Sequence, residues 1–516
     1  MNKMISKYLI PFSFLGIFVL AGCQKLKEDP KASLTPVTYY KTQADLEAGL
    51  AAIYYAYSLD GCFGFTNKMT TFFGSDDLTT DPGLNKGPLR EYDELSGTAQ
   101  NGGLDLYNAW NAIYQANNLL PVIPGVATTD LEKTQVAGQC YFLRAMGYYY
   151  LVRAFGPLPL FLAPTSPDVN LPRSPVATIY ASIVSDLQAA KAMLPASWPA
   201  QFVGKASSLA AGSMLADVYL TMAGWPLNQT SNYALAAAEA DTVINSNAFN
   251  LSTPYDKVFS TNNTPESIFA LQYSVAGNVL QRTYGNSCVP LEETALNGNG
   301  GWDDYYPEIN FYKRAPVCTR KDATFYTTIK LIQPDKSYKL VNWADPATHA
   351  RHPYYKKFRS GLNGDGVTET DTSIISMSPS TSKALDIIRY PLVLLDYAEA
   401  STMAAGNPSA LAYSRINLVR QRAGEAPLTA GLGATAFRDS VVFERGYEFA
   451  GEFGVRWFDI VRLQLLPQVI AGRDPSENPI PASVSGNPAA LENAYIGGIP
   501  FNEMVLNPTW TQNPGY

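Results

Sequence analysis

The sequence predicts a mainly α fold, a superhelix of helix pairs with long irregular loops and few short strands. Three observations predict it. Apolar residues recur at three-to-four spacing through several long segments, the period of a helix with one buried face. Gly and Pro stand where those segments must stop. Two pairs of segments are each joined by a short turn, so their helices must lie antiparallel.

Leu104–Leu120 places Leu106, Trp110, Ile113, Tyr114 and Asn117 on one stripe, and Pro121 closes it. Leu131–Phe155 follows, with Val136, Cys140, Leu143, Met146 and Tyr150 on one face. Gly156-Pro157 ends that helix, and Leu158-Pro159-Leu160 leaves it extended. Ser174–Leu194 carries Ile179, Ile183 and Leu187, with Pro175 suited to its first turn and Pro195 beyond its end. Lys205–Ala223 and Tyr233–Ser246 form the first pair around Gly224-Trp225-Pro226. Tyr390–Ala404 and Ala410–Ala423 form the second around Gly406-Asn407-Pro408, with Gly424 as the cap. Alanines such as Ala210, Ala211, Ala236 and Ala237 allow close contact within the first pair. Paired helices of this kind resemble tetratricopeptide repeats, here dispersed along the chain.

Residues 248–382 read differently, rich in Asn, Gly, Pro and Thr, with Ser267–Tyr273 and Tyr354–Phe358 as short extended candidates. Loops of that length in a compact domain usually carry function. From Pro467 to Tyr516 helix signal is again weak, and this tail is expected to wrap over the helices. The resulting division is 1–22 as a signal peptide and 23–245 as an N-terminal helical region. Residues 246–385 form a loop-rich, ligand-facing region, and 386–516 a C-terminal helical region with its tail. Residues 23–516 are expected to fold as one compact unit.

The N-terminus fixes a location. Lys3 and Lys7 precede an apolar run from Tyr8 to Ala21, which ends in Leu20-Ala21-Gly22-Cys23. A run this short, interrupted by Pro11, reads as a secretory signal, because a spanning helix needs about 20 apolar residues. Leu-Ala-Gly-Cys resembles the lipobox of bacterial lipoproteins, which makes Cys23 the lipidation site. Each buried methylene contributes about 0.8 kcal/mol, so two or more acyl chains anchor a domain durably. Lys25 to Pro30 would be the stalk.

Composition narrows the function. The 38 basic and 45 acidic residues include no basic run, which argues against a nucleic-acid partner. Charged residues make up only 16% while aromatic residues reach 12%, with 32 tyrosines. Tyrosine suits sugar-stacking surfaces as well as packing between helices. Beyond Cys23, the cysteines Cys62, Cys140, Cys288 and Cys318 are too few for a disulfide framework, although Cys288 and Cys318 flank one loop and are the candidate pair. With no CxxC and only His349 and His352, no metal site is expected. No cofactor motif and no catalytic elbow appears.

Four blocks carry a more specific signal. They are Leu143–Leu151 continuing through Phe155-Gly156-Pro157, then Arg389-Tyr390 with Asp396–Ala400, then Ile416–Gly424, and finally Glu444–Phe449 running through Glu452, Arg456, Trp457, Asp459 and Arg462. Together with the closing Asn507-Pro508 and Asn513-Pro514-Gly515-Tyr516, they resemble the SusD/RagB-like nutrient-uptake lipoproteins of Bacteroidetes. That resemblance implies a non-enzymatic binding protein on the outer face of the outer membrane. It implies a SusC-like TonB-dependent outer-membrane transporter as partner, with an oligosaccharide, or else a peptide, as ligand.

The charged residues of these blocks read as architecture. Glu444, Glu448 and Glu452 would share one helical face, where they repel unless arginines intervene. Arg389, Arg420 and Arg422 are the natural donors, since a guanidinium pairs with a carboxylate through two parallel bonds. For a ligand, the strongest local cluster is Trp302, Asp303, Asp304, Tyr305 and Tyr306, preceded by glycines that would free the backbone to present them. Tyr284 and Trp343 are weaker candidates. A second cluster joins Phe63, Phe65, Phe72 and Phe73 to Asp76, Asp77 and Tyr92. Asp303, Asp304 and Glu308 do not make the facing pair that a glycoside hydrolase needs. A protein-binding repeat scaffold is the remaining alternative.

Overall fold

The computed structural model describes residues 36–64, 70–81, 83–164, 171–274, 287–296, 301–335, 337–358, 382–477 and 479–516. Cys23, Phe65, Tyr284 and the glycine-rich residues 297–300 lie outside them. Ten helices build the body. They are α1 (Gln43–Ser58), α2 (Trp110–Leu119), α3 (Asp130–Phe155), α4 (Val176–Met193), α5 (Ser208–Ala223), α6 (Asn232–Asn245), α7 (Tyr390–Ala405), α8 (Ala410–Arg422), α9 (Ala434–Glu448) and α10 (Val455–Leu463). Each packs on the next from α1 to α8, and α9 packs against α7, so α6 and α7 meet across the loop-rich segment. This is the expected superhelix of helix pairs.

Local chemistry sets the ends. Thr42 and Thr129 open α1 and α3 with reciprocal capping boxes to Asp45 and Glu132. Ser207 and Ser409 accept from Ala210 and Ala412, which starts α5 and α8 at those hydroxyls. The first of these helices thus begins later than the apolar pattern at Lys205 suggested. Gly406 ends α7 in the left-handed conformation, φ 76°. Pro175 is the cap of α4 and stands just outside its first turn. The stripe beginning at Leu104 also divides, into a 3-10 turn at Asp105–Ala109 and then α2.

Strands are few and short. β1 (Ser267–Leu271) pairs antiparallel with β4 (Leu385–Arg389), and β2 (Thr328–Ile332) with β3 (Tyr338–Asn342). Of the extended candidate at 354–358, only Tyr354–Tyr355 is strand, and a 3-10 turn follows. The β1–β4 seam closes both ends of the loop-rich segment onto the helices and sets Ser267 opposite Arg389. The tail crosses back over the end of α3 and the segment that leaves it. Asn513 donates to the carbonyls of Phe155 and Gly497, at 2.8 and 2.7 Å. The Trp510 indole donates to Leu171 O at 2.8 Å. Cys288 and Cys318, the candidate pair, are not joined in a disulfide; Cys288 is buried, and Cys318 lies 3.9 Å from a Glu425 oxygen.

Candidate functional site

The carboxylates of the recognisable blocks face inward. Arg389 reaches Glu452 at 2.8 Å and Glu448 at 3.0 Å, and also pairs with Glu266. Arg422 binds Glu266 at 2.7 Å and shares Glu448. Arg420 meets Glu444 at 3.1 Å. The three expected donors are therefore in place, and two more cations join from the loop-rich segment. Arg320 bridges Glu444, Glu448 and Glu425, and Lys357 binds Glu452 at 2.7 Å. Burial opposes the charge on Glu448, yet Arg422, Arg389 and Arg320 outweigh it and hold that carboxyl far below the usual range. Burial pulls the Lys357 ammonium down to about 8. A second set joins Arg445 to Asp396 and Asp459, and Arg462 to Glu399. These acids hold helices together.

The loop cluster is also internal, which corrects the expectation of an exposed platform. Asp303 is 1% exposed; it accepts from Tyr354 Oη at 2.6 Å and lies 2.9 Å from His349 Nδ1. Asp304 is buried against Lys86. Burial raises both carboxyls above their ordinary value. Tyr305 packs among Phe73 and Tyr355, and Tyr306 stacks on His352 at 4.4 Å. Gly301 does not free the chain: a Cβ there would fall 2.1 Å from the carbonyl oxygens of Val289 and Pro290. Trp302 alone stays partly exposed, with its carbonyl accepting from Lys86 Nζ at 2.7 Å. The partners that bury this segment come from Lys86, His349 and Tyr354, all distant in sequence.

The remaining candidates divide similarly. Trp343 packs edge-on to Tyr312 at 5.7 Å and is partly buried. Asp76 is buried and takes both prongs of Arg456, at 2.7 and 2.9 Å. Tyr92 is buried with its ring against Gly97, and Phe63, Phe72 and Phe73 are core residues. Among the described residues, Asp81, Asp303 and His349 are the one trio with metal-ligand spacing. The His349 ring nitrogen already lies within hydrogen-bond reach of both carboxylates, and Asp303 raises its pKa by that bond.

The sequence reading missed an open cleft of about 450 Å³ between the start of α2, the Pro159–Phe161 strand exit and residues 503–510 of the tail. Tyr107, Trp110, Tyr114, Phe161 and Trp510 supply rings, and Asn108, Asn111 and Glu503 supply polar groups. Trp110 is pinned edge-to-face by Tyr148 at 5.4 Å and Phe161 at 5.8 Å. Tyr114, read as part of the buried stripe, is 53% exposed because it sits at the stripe's edge while Ile113 takes the centre. Asn117, also of that stripe, is committed inward: it donates to Phe161 O at 2.9 Å and accepts from Arg144 at 2.7 Å. Rings with fixed orientation beside amides are what binding a polar, flat-faced oligomer requires. The only sequence signal for this wall was the run of amides beside aromatics from Tyr107 to Asn118.

A stack of helix pairs, with the charges of its recognisable blocks paired inside and an open cleft walled by rings and amides, defines a helical-repeat protein with a candidate binding cleft. Residues 91–220 match a family model described as "Starch-binding associating with outer membrane", and residues 306–516 match that of the SusD family. The chain belongs to the SusD/RagB family. SusD-like protein P2 of Formosa agariphila is 29% identical over 546 residues, covering 99% of this chain and 100% of the relative. Among solved structures, a SusD homolog from Bacteroides thetaiotaomicron superposes with a TM-score of 0.77 at 22% identity, over 93% of this chain and 98% of the other. A laminarin-binding SusD-like protein gives 0.72 at 23% identity, over 92% and 100% of the two chains. Surface glycan-binding protein A from Bacteroides uniformis gives 0.72 at 21%, with the same coverage. These structural likenesses establish the fold.

Proposed function

We propose that this protein is a surface-exposed outer-membrane lipoprotein, anchored through Cys23, which binds nutrient oligomers and passes them to a SusC-like TonB-dependent transporter. Glycans are the ligand class. The observation that carries this reading is the cleft beside α2, where fixed aromatic faces stand next to amides with uncommitted side chains. Family membership and the glycan-binding names of structural neighbours support it. The lipobox at Leu20–Cys23 supports the anchor.

The sealing of the loop acids supports binding without catalysis. Asp303 and Asp304 are buried in hydrogen bonds and ion pairs, and Glu308 caps its own short helix by accepting from Phe311 N at 2.8 Å. Calorimetry against neutral oligosaccharides and against peptides of equal length tests the reading. Saturable binding to a glycan is the expected result. Binding to peptides alone would replace the ligand class, and cleavage products after incubation would replace the binder with a hydrolase. Changing Cys23→Ser should leave binding intact and reduce uptake by cells; uptake by the unanchored form at the normal rate would remove the anchor from the mechanism.

A further inference from the structure

We propose that the cleft beside α2 selects uncharged sugar chains and turns away polyanionic ones, with Glu503 as the discriminating residue; this rests on the glycan reading above. Among the described residues lining the cleft, Glu503 is the sole carboxylate and no Lys or Arg is present. No hydrogen bond or ion pair among the described residues reaches that carboxylate, and partial burial alone raises its pKa. It is free to accept from two neighbouring hydroxyls of a sugar ring. Its charge is also uncompensated, so a uronate or sulfate entering the same half-buried space meets a like charge.

The guanidiniums close to the cleft cannot turn to relieve that repulsion. Arg144 is held by both oxygens of Asp186 at 2.8 Å and by Asn117. Arg173 donates to Pro157 O at 2.8 Å and is tied to Thr511 O and Asn513 behind the tail. Elsewhere the chain surrounds Glu448 with three guanidiniums, so the lack of one at Glu503 is a local feature of this wall. Specificity built on a repulsive element needs only that the wrong ligand pass close to an uncompensated charge. The attractive side of the cleft is neutral: ring faces from Trp110 and Tyr114, and amides from Asn108 and Asn111.

The test uses the full chain and calorimetry in dilute buffer. The probes are neutral gluco- and xylo-oligosaccharides, oligogalacturonate, and sulfated galactan oligosaccharides of matched length. Neutral chains are expected to bind, with the anionic ones about tenfold weaker or undetectable. Glu503→Gln should narrow that ratio, and Glu503→Lys should narrow it further or invert it, with melting temperatures unchanged. Tyr114→Ala should weaken the neutral ligand several-fold. Equal affinity for anionic and neutral chains in the natural protein would overturn the selectivity while leaving glycan binding standing. An unchanged ratio in both Glu503 variants, or neutral binding untouched by Tyr114→Ala and Asn111→Ala together, would overturn the assignment to this cleft. Silence toward every sugar would overturn the underlying glycan reading as well.

Discussion

Around Glu448, three guanidiniums converge on one carboxylate with no access to solvent; around Glu503, one carboxylate faces an open cleft with no cation among its described lining residues. The first arrangement fixes helices from distant parts of the chain. Arg320 and Arg389 arrive from the loop-rich segment and its last strand, Arg422 from α8, and Glu448 from the end of α9. The second leaves a side chain ready for something from outside. The difference teaches that recognisable charged motifs in this chain mark where it is held together, while the cleft proposed to bind is walled, Glu503 apart, by neutral residues that form no motif.

Removing one partner from the inner set should have the largest effect. Glu448→Ala takes one carboxylate from each of three buried guanidiniums, which keep Glu425, Glu444, Glu266 and Glu452 among them, and breaking a buried pair costs about 3–5 kcal/mol. Urea denaturation should show a loss of that order or an insoluble product; a loss below about 1 kcal/mol would mean the network is ornamental. Next comes Lys357. Its ammonium is depressed from 10.5 to about 8 by burial, so the unfolded chain binds more protons between those values. Stability should therefore rise as pH climbs from about 8 to 10.5, by up to about 3 kcal/mol from this group. Lys357→Met should flatten that limb, and an unchanged slope would refute the depressed pKa.

The outer region should respond in the opposite way, in affinity and not in stability. Tyr114→Ala removes an exposed ring, so stability should stay within about 0.5 kcal/mol while glycan affinity drops several-fold. Trp302→Ala should show the smallest effect on binding, since the loop around it is built into the core. Should Trp302→Ala abolish binding while Tyr114→Ala leaves it intact, the ligand surface belongs to the loop face and the comparison must be redrawn.

Much of the body was legible because its rules are local. The three-to-four stripe and the Gly and Pro stops each act over a few residues, and they placed most of the long helices within a few residues. The pairing of Arg389, Arg420 and Arg422 with the glutamates could be read too, since like charges at four-residue spacing demand counterions. Arg320 could not: it stands in a six-residue helix inside a segment that offered no periodicity. The loop cluster failed for the complementary reason. Trp302 to Tyr306 has the composition of a sugar platform, but Lys86, Tyr354 and His349 supply partners that no local window contains. The cleft needs residues near 110, near 160 and near 505 at once, so only the folded chain reveals it.

Charges kept indoors also settle how the body meets its surroundings. Dissolved ions screen exposed charges over about 10 Å at 0.1 M, but they reach buried pairs poorly. With Glu444, Glu448, Asp396 and Glu399 all at 0% exposure, these acids and the guanidiniums paired with them lie largely beyond their reach. The contribution of these pairs to the unfolding midpoint should therefore change little between low and moderate salt, so the joints between these helices would hold through a change of salinity.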